Sequence, residues 1–279
     1  MNGIPSEALK KLCDEFQGKC SLYVSLPHTG EKFLYREHEK INAASTIKIP
    51  LLAKLLKDAE EGRVNLSLPV PIGAENRVRG SGIIKHLAPD LSLSLYDYAV
   101  LMIIVSDNSA TNRVIDAVGM DRANEFFREN LWQETELNRK LFAPLSTDVP
   151  GKGNYTSAAD LGDMLERICA GTLVSRSACE TMKSIMACQT LGKFSKSLPS
   201  VYRPENTREP LALPPEGKVV LVEKGGTLTG RVSHDAAIMI LPDGRCAVLV
   251  MMTECESGDA SLRAIQKVSR LIYDRMIAD

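Results

Sequence analysis

Apolar positions change period twice along this chain. Residues 6–16 carry them at helical spacing, and residues 20–26 and 32–36 then read as two strands joined by the turn-like Pro27-His28-Thr29-Gly30-Glu31. From Ala43 onward the helical period dominates. It predicts a helix after Ser45 and further helices over 95–105, 110–118, 121–129, 157–170 and 176–187. Strand-like runs return at 218–224, 231–241 and 245–253, and a closing helix spans 260–277. Strands at both chain ends around a helical middle predict an α/β (α+β) fold. In it, one antiparallel sheet is flanked by the terminal helices, with an all-helical lobe inserted. The expected division is residues 1–42 and 196–279 for the α/β lobe and 43–195 for the helical lobe, with a site at the seam.

Composition narrows the class. The 279 residues are 44% hydrophobic and 25% charged, as in an ordinary globular protein, and the net charge of −1 gives no electrostatic reason to expect nucleic acid or an acidic membrane as partner. Short basic clusters such as Lys193, Lys196 and Arg203 are expected on a solvated face. Cys13, Cys20, Cys169, Cys179, Cys188, Cys246 and Cys255 contain no Cys-x-x-Cys, and His28, His38, His86 and His234 offer no zinc spacing. No metal or cofactor is therefore expected. The odd thiol count reads as reduced structural cysteines. The N-terminus has no apolar export region, so the expected location is cytoplasmic, or exported if a leader has been trimmed.

Three strings in one chain order carry candidate chemistry: Ser45-Thr46-Ile47-Lys48, Ser106-Asp107-Asn108 and Lys224-Gly225-Gly226-Thr227. Each alone is a weak motif, but their joint order is much rarer. A serine hydroxyl needs a base to take its proton, and a lysine becomes one where burial or nearby positive charge depresses its pKa. Ser45 and Lys48 stand one helical turn apart, with Ser45 at a helix N-terminus where backbone N–H groups favour a developing anion. Pro50 fits within such a first turn.

Over most of its length, including Arg79-Gly80-Ser81-Gly82-Ile83-Ile84 and the run from Leu101 to Asn112, the chain resembles the class A β-lactamases and related penicillin-recognising serine hydrolases. The resemblance implies Ser45 as nucleophile and Lys48 as proton acceptor or relay. It also implies Ser106 as proton donor toward the leaving nitrogen and Lys224 as the organising cation. Asn108 would hydrogen-bond the substrate amide, and Gly226 and Thr227 would belong to the substrate and oxyanion wall, with the N–H groups of Ser45 and Thr227 as donors. The implied substrate is a small-molecule β-lactam or a peptide-like amide. A related acyltransferase, peptidase or esterase is the alternative, and an acylated sensor domain without turnover is a third reading.

Two departures matter. Glu134-Thr135-Glu136-Leu137-Asn138 looks like the family's Glu-x-Glu-Leu-Asn loop, whose glutamate activates the deacylating water. The alternative register aligns Thr135, Leu137 and Arg139 with the family's Thr-x-Leu-x-Arg string and ends the loop at Asn154-Tyr155-Thr156. It puts Leu141 at the glutamate position, which retains acylation and slows deacylation. Glu134 as base requires its carboxylate within reach of Ser45. The second departure is Gly225, where the family carries a Ser or Thr. Thr227, Thr229 and Arg231 are the candidates to replace that hydroxyl, since arginine grips carboxylates through a planar fork. His234 reads as a structural histidine, because adjacent His234 and Asp235 point to opposite strand faces. Trp132 and Tyr155 read as packing residues, and Ser81 as a turn residue.

Overall fold

The computed structural model describes residues 3–142, 153–228 and 231–278. Helix α1 (Ser6–Asp14) leads into β1 (Lys19–Leu26) and β2 (Glu31–Tyr35), and a two-residue β3 (Ile41–Asn42) precedes a 3₁₀ turn, Ala44–Ile47. The turn runs directly into α2 (Lys48–Glu60). Short strands β4 (Pro69–Pro71) and β5 (Ser92–Ser94) frame a loop, followed by α3 (Leu95–Ile104), α4 (Asn108–Val118) and α5 (Met120–Glu129). Next come β6 (Tyr155–Thr156), α6 (Ala158–Ala170) and α7 (Arg176–Ala187). The chain closes with β7 (Val220–Leu228), β8 (Val232–Ile240), β9 (Cys246–Glu254) and α8 (Gly258–Ile277).

The main sheet has the order β2-β1-β9-β8-β7 and is antiparallel throughout. Both chain ends supply it, as the sequence predicts. One face, with Tyr23, Val222, Ala236, Ile238, Val250 and Met252, shares a core with the helical insertion. The other, with Leu22, Val24, Leu221, Met239, Leu249 and Met251, packs on Leu9 of α1 and on Ile265, Val268 and Ile272 of α8. Burial on both faces explains why these strands read as continuous apolar runs rather than alternating ones.

Helix starts follow side-chain chemistry. Ser94, Asp107, Ser157, Ser175 and Ser257 each accept a hydrogen bond from a backbone N–H of the first turn of α3, α4, α6, α7 and α8. One expectation shifts. The strand expected to stop at Lys224 continues through Gly225 and Gly226 to Leu228, because pairing from Lys224↔Ala236 to Leu228↔Val232 overrides the low strand preference of glycine. Ser45 lies at the N-terminal side of α2, as expected, though the turn that carries it is 3₁₀ rather than α. Among the described residues, no helix is long and apolar enough to cross a membrane.

Candidate active site

The Ser45 turn is held by its flanks. Asn42 Oδ1 accepts from the Ala44 N–H at 3.0 Å, and the Ala43 N–H donates to the Asn154 carbonyl at 2.8 Å. Ala44 adopts φ 46°, an uncommon conformation for a residue with a side chain and one that clusters at functional sites. In a 3₁₀ turn, side chains three apart eclipse, which brings Ser45 and Lys48 to the same side. Ser45, half-buried, lines a cleft of about 600 Å³ together with Asn42, Ser81, Asn108, Leu141 and Thr227.

Lys48 is fully buried. Its Nζ lies 2.8 Å from the Ser106 carbonyl, 2.9 Å from Ser106 Oγ and 3.1 Å from Asn108 Oδ1. Burial first, then the positive charge of Lys224, push its pKa well below the ordinary lysine value, against a smaller pull from Asp107. The lowered pKa makes the neutral amine, the form that can take a proton, easier to reach. Lys224, equally buried, donates to Ser106 Oγ at 3.1 Å and to the Gly225 carbonyl at 2.8 Å. Burial and the neighbouring Lys193 bring its pKa down to about 7, opposed by Asp235 and Glu223. Ser106 Oγ is thus shared by two lysine nitrogens, and Ser106 itself sits at φ 55°.

Asp107 fixes this arrangement from below. One carboxylate oxygen caps α4 at the Ala110 N–H (3.0 Å), and the other accepts from the N–H groups of Ile83 and Ile84 at 2.6 and 2.9 Å. Asn108 N–H donates to the Ser81 carbonyl at 3.1 Å, so the Gly-rich segment becomes one wall of the cleft. Gly82 needs its identity: φ is +106°, and a Cβ would fall 2.2 Å from Asp107 Cγ.

On the opposite wall, β7 abuts the Ser45 turn. A Cβ on Gly226 would lie 3.1 Å from the Ser45 nitrogen and 3.2 Å from the Ala43 carbonyl, so a side chain here would press strand and turn apart. Thr227 and Leu228 line the cleft. Thr229 lies outside the described residues, and Arg231 is exposed at the turn after β7, apart from the residues that line the cleft. At Gly225 a Cβ would stand 3.1 Å from Lys193 Nζ. That ammonium donates to the carbonyls of Gly226 (3.2 Å) and His234 (2.9 Å), while the N–H groups of Lys193 and Phe194 donate to Asp235 at 2.5 and 2.8 Å. Lys193 is therefore not on a solvated face, contrary to the sequence expectation. Arg203 stays exposed, as expected, although its guanidinium reaches Ser195 Oγ at 3.1 Å and stands 3.8 Å from buried Glu223. The acidic residues inside the apolar runs of β7 and β8, Glu223 and Asp235, are the sequence signal that basic or N–H partners lie beside the strand.

The two registers for the deacylating glutamate now separate. Leu141 lines the cleft, its backbone fixed by Asn112 through bonds of 2.8 and 2.9 Å. Glu134 faces elsewhere: its carboxylate accepts from Ser157 Oγ at 3.4 Å and stands 3.8 Å from His38. Asn154 closes the neck of the loop, its Oδ1 accepting from the N–H groups of Asn138 and Arg139 at 2.8 and 3.1 Å. No carboxylate is among the described residues that line the cleft. His234 is fully engaged, with Nε2 2.7 Å from the Asn42 carbonyl and Nδ1 accepting from the Thr253 N–H at 3.0 Å. Burial lowers its pKa to about 4, so it is neutral. Trp132 packs edge-on against Phe126 and donates to Asp163, while Tyr155 pairs with Asn42 in the small β3–β6 sheet.

The family model described as Beta-lactamase enzyme family matches residues 5–276. An imipenem-hydrolyzing beta-lactamase of Enterobacter cloacae is 28% identical over 199 residues, which is 70% of this chain and 68% of the relative. A solved beta-lactamase from Sphaerobacter thermophilus DSM 20745 superposes with a TM-score of 0.84 at 26% identity, over 100% of this chain and 99% of the other. The fold is also that of PBP-A, seen in a leucine-to-glutamate mutant solved as an acyl-enzyme complex with penicillin G. That likeness has a TM-score of 0.82 at 23% identity, over 100% of both chains.

Proposed function

Because the chain belongs to the Beta-lactamase enzyme family, we propose that it opens β-lactam rings through an acyl-enzyme on Ser45 and that release of the acyl group is its slow step. Family and fold make it a serine hydrolase of the β-lactamase type.

In this reading Ser45 Oγ attacks the ring carbonyl as its proton passes to the neutral amine of Lys48. The developing oxyanion rests on the N–H groups of Ser45 and Thr227. As the C–N bond breaks, the proton travels from Lys48 through Ser106 to the leaving nitrogen, a path supported by the 2.9 Å contact between Lys48 Nζ and Ser106 Oγ. Lys224, still partly protonated at neutral pH, supplies positive charge for an anionic substrate group.

The observation that supports the slow step is Leu141 on the cleft wall, with no carboxylate among the described residues that line it. A leucine cannot activate water, and a positioned general base contributes about 10²–10⁴-fold. The same observation favours a penicillin-binding acyltransferase or peptidase as the second reading, in which a group other than water takes the acyl chain. Rapid mixing with excess chromogenic cephalosporin tests both. The expected result is one stoichiometric burst with an acyl mass on Ser45, absent in Ser45→Ala, and turnover about 100-fold faster in Leu141→Glu. Sustained turnover by the unsubstituted protein would overturn the slow step, and no ring opening would overturn the β-lactam reading.

A further inference from the structure

Seven free thiols are spread over the chain, and they include two interacting pairs, Cys13–Cys20 and Cys169–Cys246. Cys169, next to last in α6, has its Sγ 2.8 Å from Sγ of Cys246, the first residue of β9. That gap is well inside the contact distance of two unbonded sulfurs and about 0.8 Å longer than a disulfide bond. The Cys169–Cys246 pair joins the helical insertion to the sheet. We propose that Cys169 and Cys246 are a modification site, a dithiol that closes reversibly to a disulfide when it meets a small disulfide such as oxidised glutathione.

The chemistry has a defined order. Cys169 is half-buried, so a small oxidant reaches it, whereas Cys246 sits behind it with 9% of its surface exposed. The hydrogen bond the two thiols share lowers the pKa of Cys169, with help from the Lys183 ammonium and against burial and Glu166, and raises that of Cys246. The thiolate of Cys169 attacks one sulfur of oxidised glutathione, forming a mixed disulfide and expelling one glutathione thiolate. Cys246 passes its proton to solvent base and attacks Sγ of Cys169, expelling the second glutathione. Two protein thiols are oxidised and one glutathione disulfide is reduced to two thiols.

The remaining cysteines lack this combination. Cys13, Cys20, Cys179 and Cys255 are buried, so although Cys13 and Cys20 share a hydrogen bond, neither offers an oxidant the half-exposed approach that Cys169 has. Cys188 is half-buried but faces the Pro204 carbonyl at 3.2 Å. Position also separates the pair from catalysis. Gly226 is in register with His234, and His234 with Met252, six residues along β9 from Cys246, or about 20 Å.

The test uses the full chain incubated with oxidised glutathione, trapped with an alkylating agent, then analysed by intact mass and peptide mapping. Expected is the loss of two thiols out of seven, a Cys169–Cys246 cross-linked peptide that a reductant reopens, and an unchanged cephalosporin burst. Cys246→Ser should arrest at one glutathione on Cys169, and Cys169→Ser should keep its remaining thiols. The oxidised form should melt higher by about 5 °C, since the bridge closes a long loop. Retention of all seven thiols, a stable glutathione adduct on the unsubstituted protein, or a cross-link between other cysteines would overturn the proposal.

Discussion

Replacing Lys224 by Met should make the protein more stable while removing its ring-opening activity. Lys224 is fully buried, and bringing its pKa down from 10.5 to about 7 corresponds to about 5 kcal/mol against the charged form, at about 1.4 kcal/mol per unit. Methionine has similar length and no charge to desolvate. It gives up the bonds to Ser106 Oγ and Gly225 O, worth about 1.5 kcal/mol each for a charged donor. The expected net gain at pH 6 is about 2 kcal/mol, within the range for buried ions replaced by apolar residues. Below pH 7 Lys224 is charged in both folded and unfolded chains, so the folded state bears the full penalty. Between pH 7 and 10.5 the folded chain has lost that proton and the unfolded chain has not, so the unsubstituted protein gains stability as pH rises. Urea unfolding of both proteins at pH 6 and pH 9.5 measures the effect. A Lys224→Met protein less stable than its parent at pH 6, or a gap that does not narrow at pH 9.5, would refute the assignment of Lys224 as a strained cation.

Two further substitutions probe the supports of the site. Asp107→Ala removes a helix cap and leaves the N–H groups of Ile83 and Ile84 without their acceptor; the expected loss is about 3 kcal/mol in urea unfolding, with a burst slowed at least tenfold as the cleft wall loosens. His234→Ala should leave the burst rate unchanged within about twofold, and a large drop would make His234 a participant in proton transfer. His234 also carries a pH signature: its pKa falls from 6.5 to about 4 on folding, so stability should decline by about 3 kcal/mol as pH drops from 6.5 to 4, a dependence that His234→Ala should lack.

Much of the fold was legible because the elements announce themselves locally. The period changes at Ala43 and again after α7 separate helical insertion from sheet, and Ser or Asp caps mark five helix starts. The main strands gave continuous apolar runs because both faces are covered. The strand through Gly225 and Gly226 is hidden for the opposite reason: its local preference is poor, and pairing with β8 holds it extended. Motif spacing singles out Ser45, Lys48, Ser106 and Lys224, and the structure places Lys48 and Lys224 on Ser106 Oγ and Ser45 on the cleft. Lys193 was not legible, since nothing around residue 193 distinguishes a buried lysine from a solvated one. Its surroundings come from strands some 30–40 residues later, at Glu223 and Asp235.

The sheet takes its first strands from the start of the chain and its last three from the end, with Tyr23 in register with Val250. Contacts so distant in sequence close slowly, because the intervening chain must be ordered before they form. A growing chain can compact its helical insertion, but β1 and β2 wait for β9, and Ser45 and Ser106 wait for the strand bearing Lys224. The arrangement of Ser45, Ser106 and Lys224 is thus expected to form late in folding. Recovery of Ser45 acylation during refolding should lag the recovery of helix signal, which makes acylation a reporter of the completed fold.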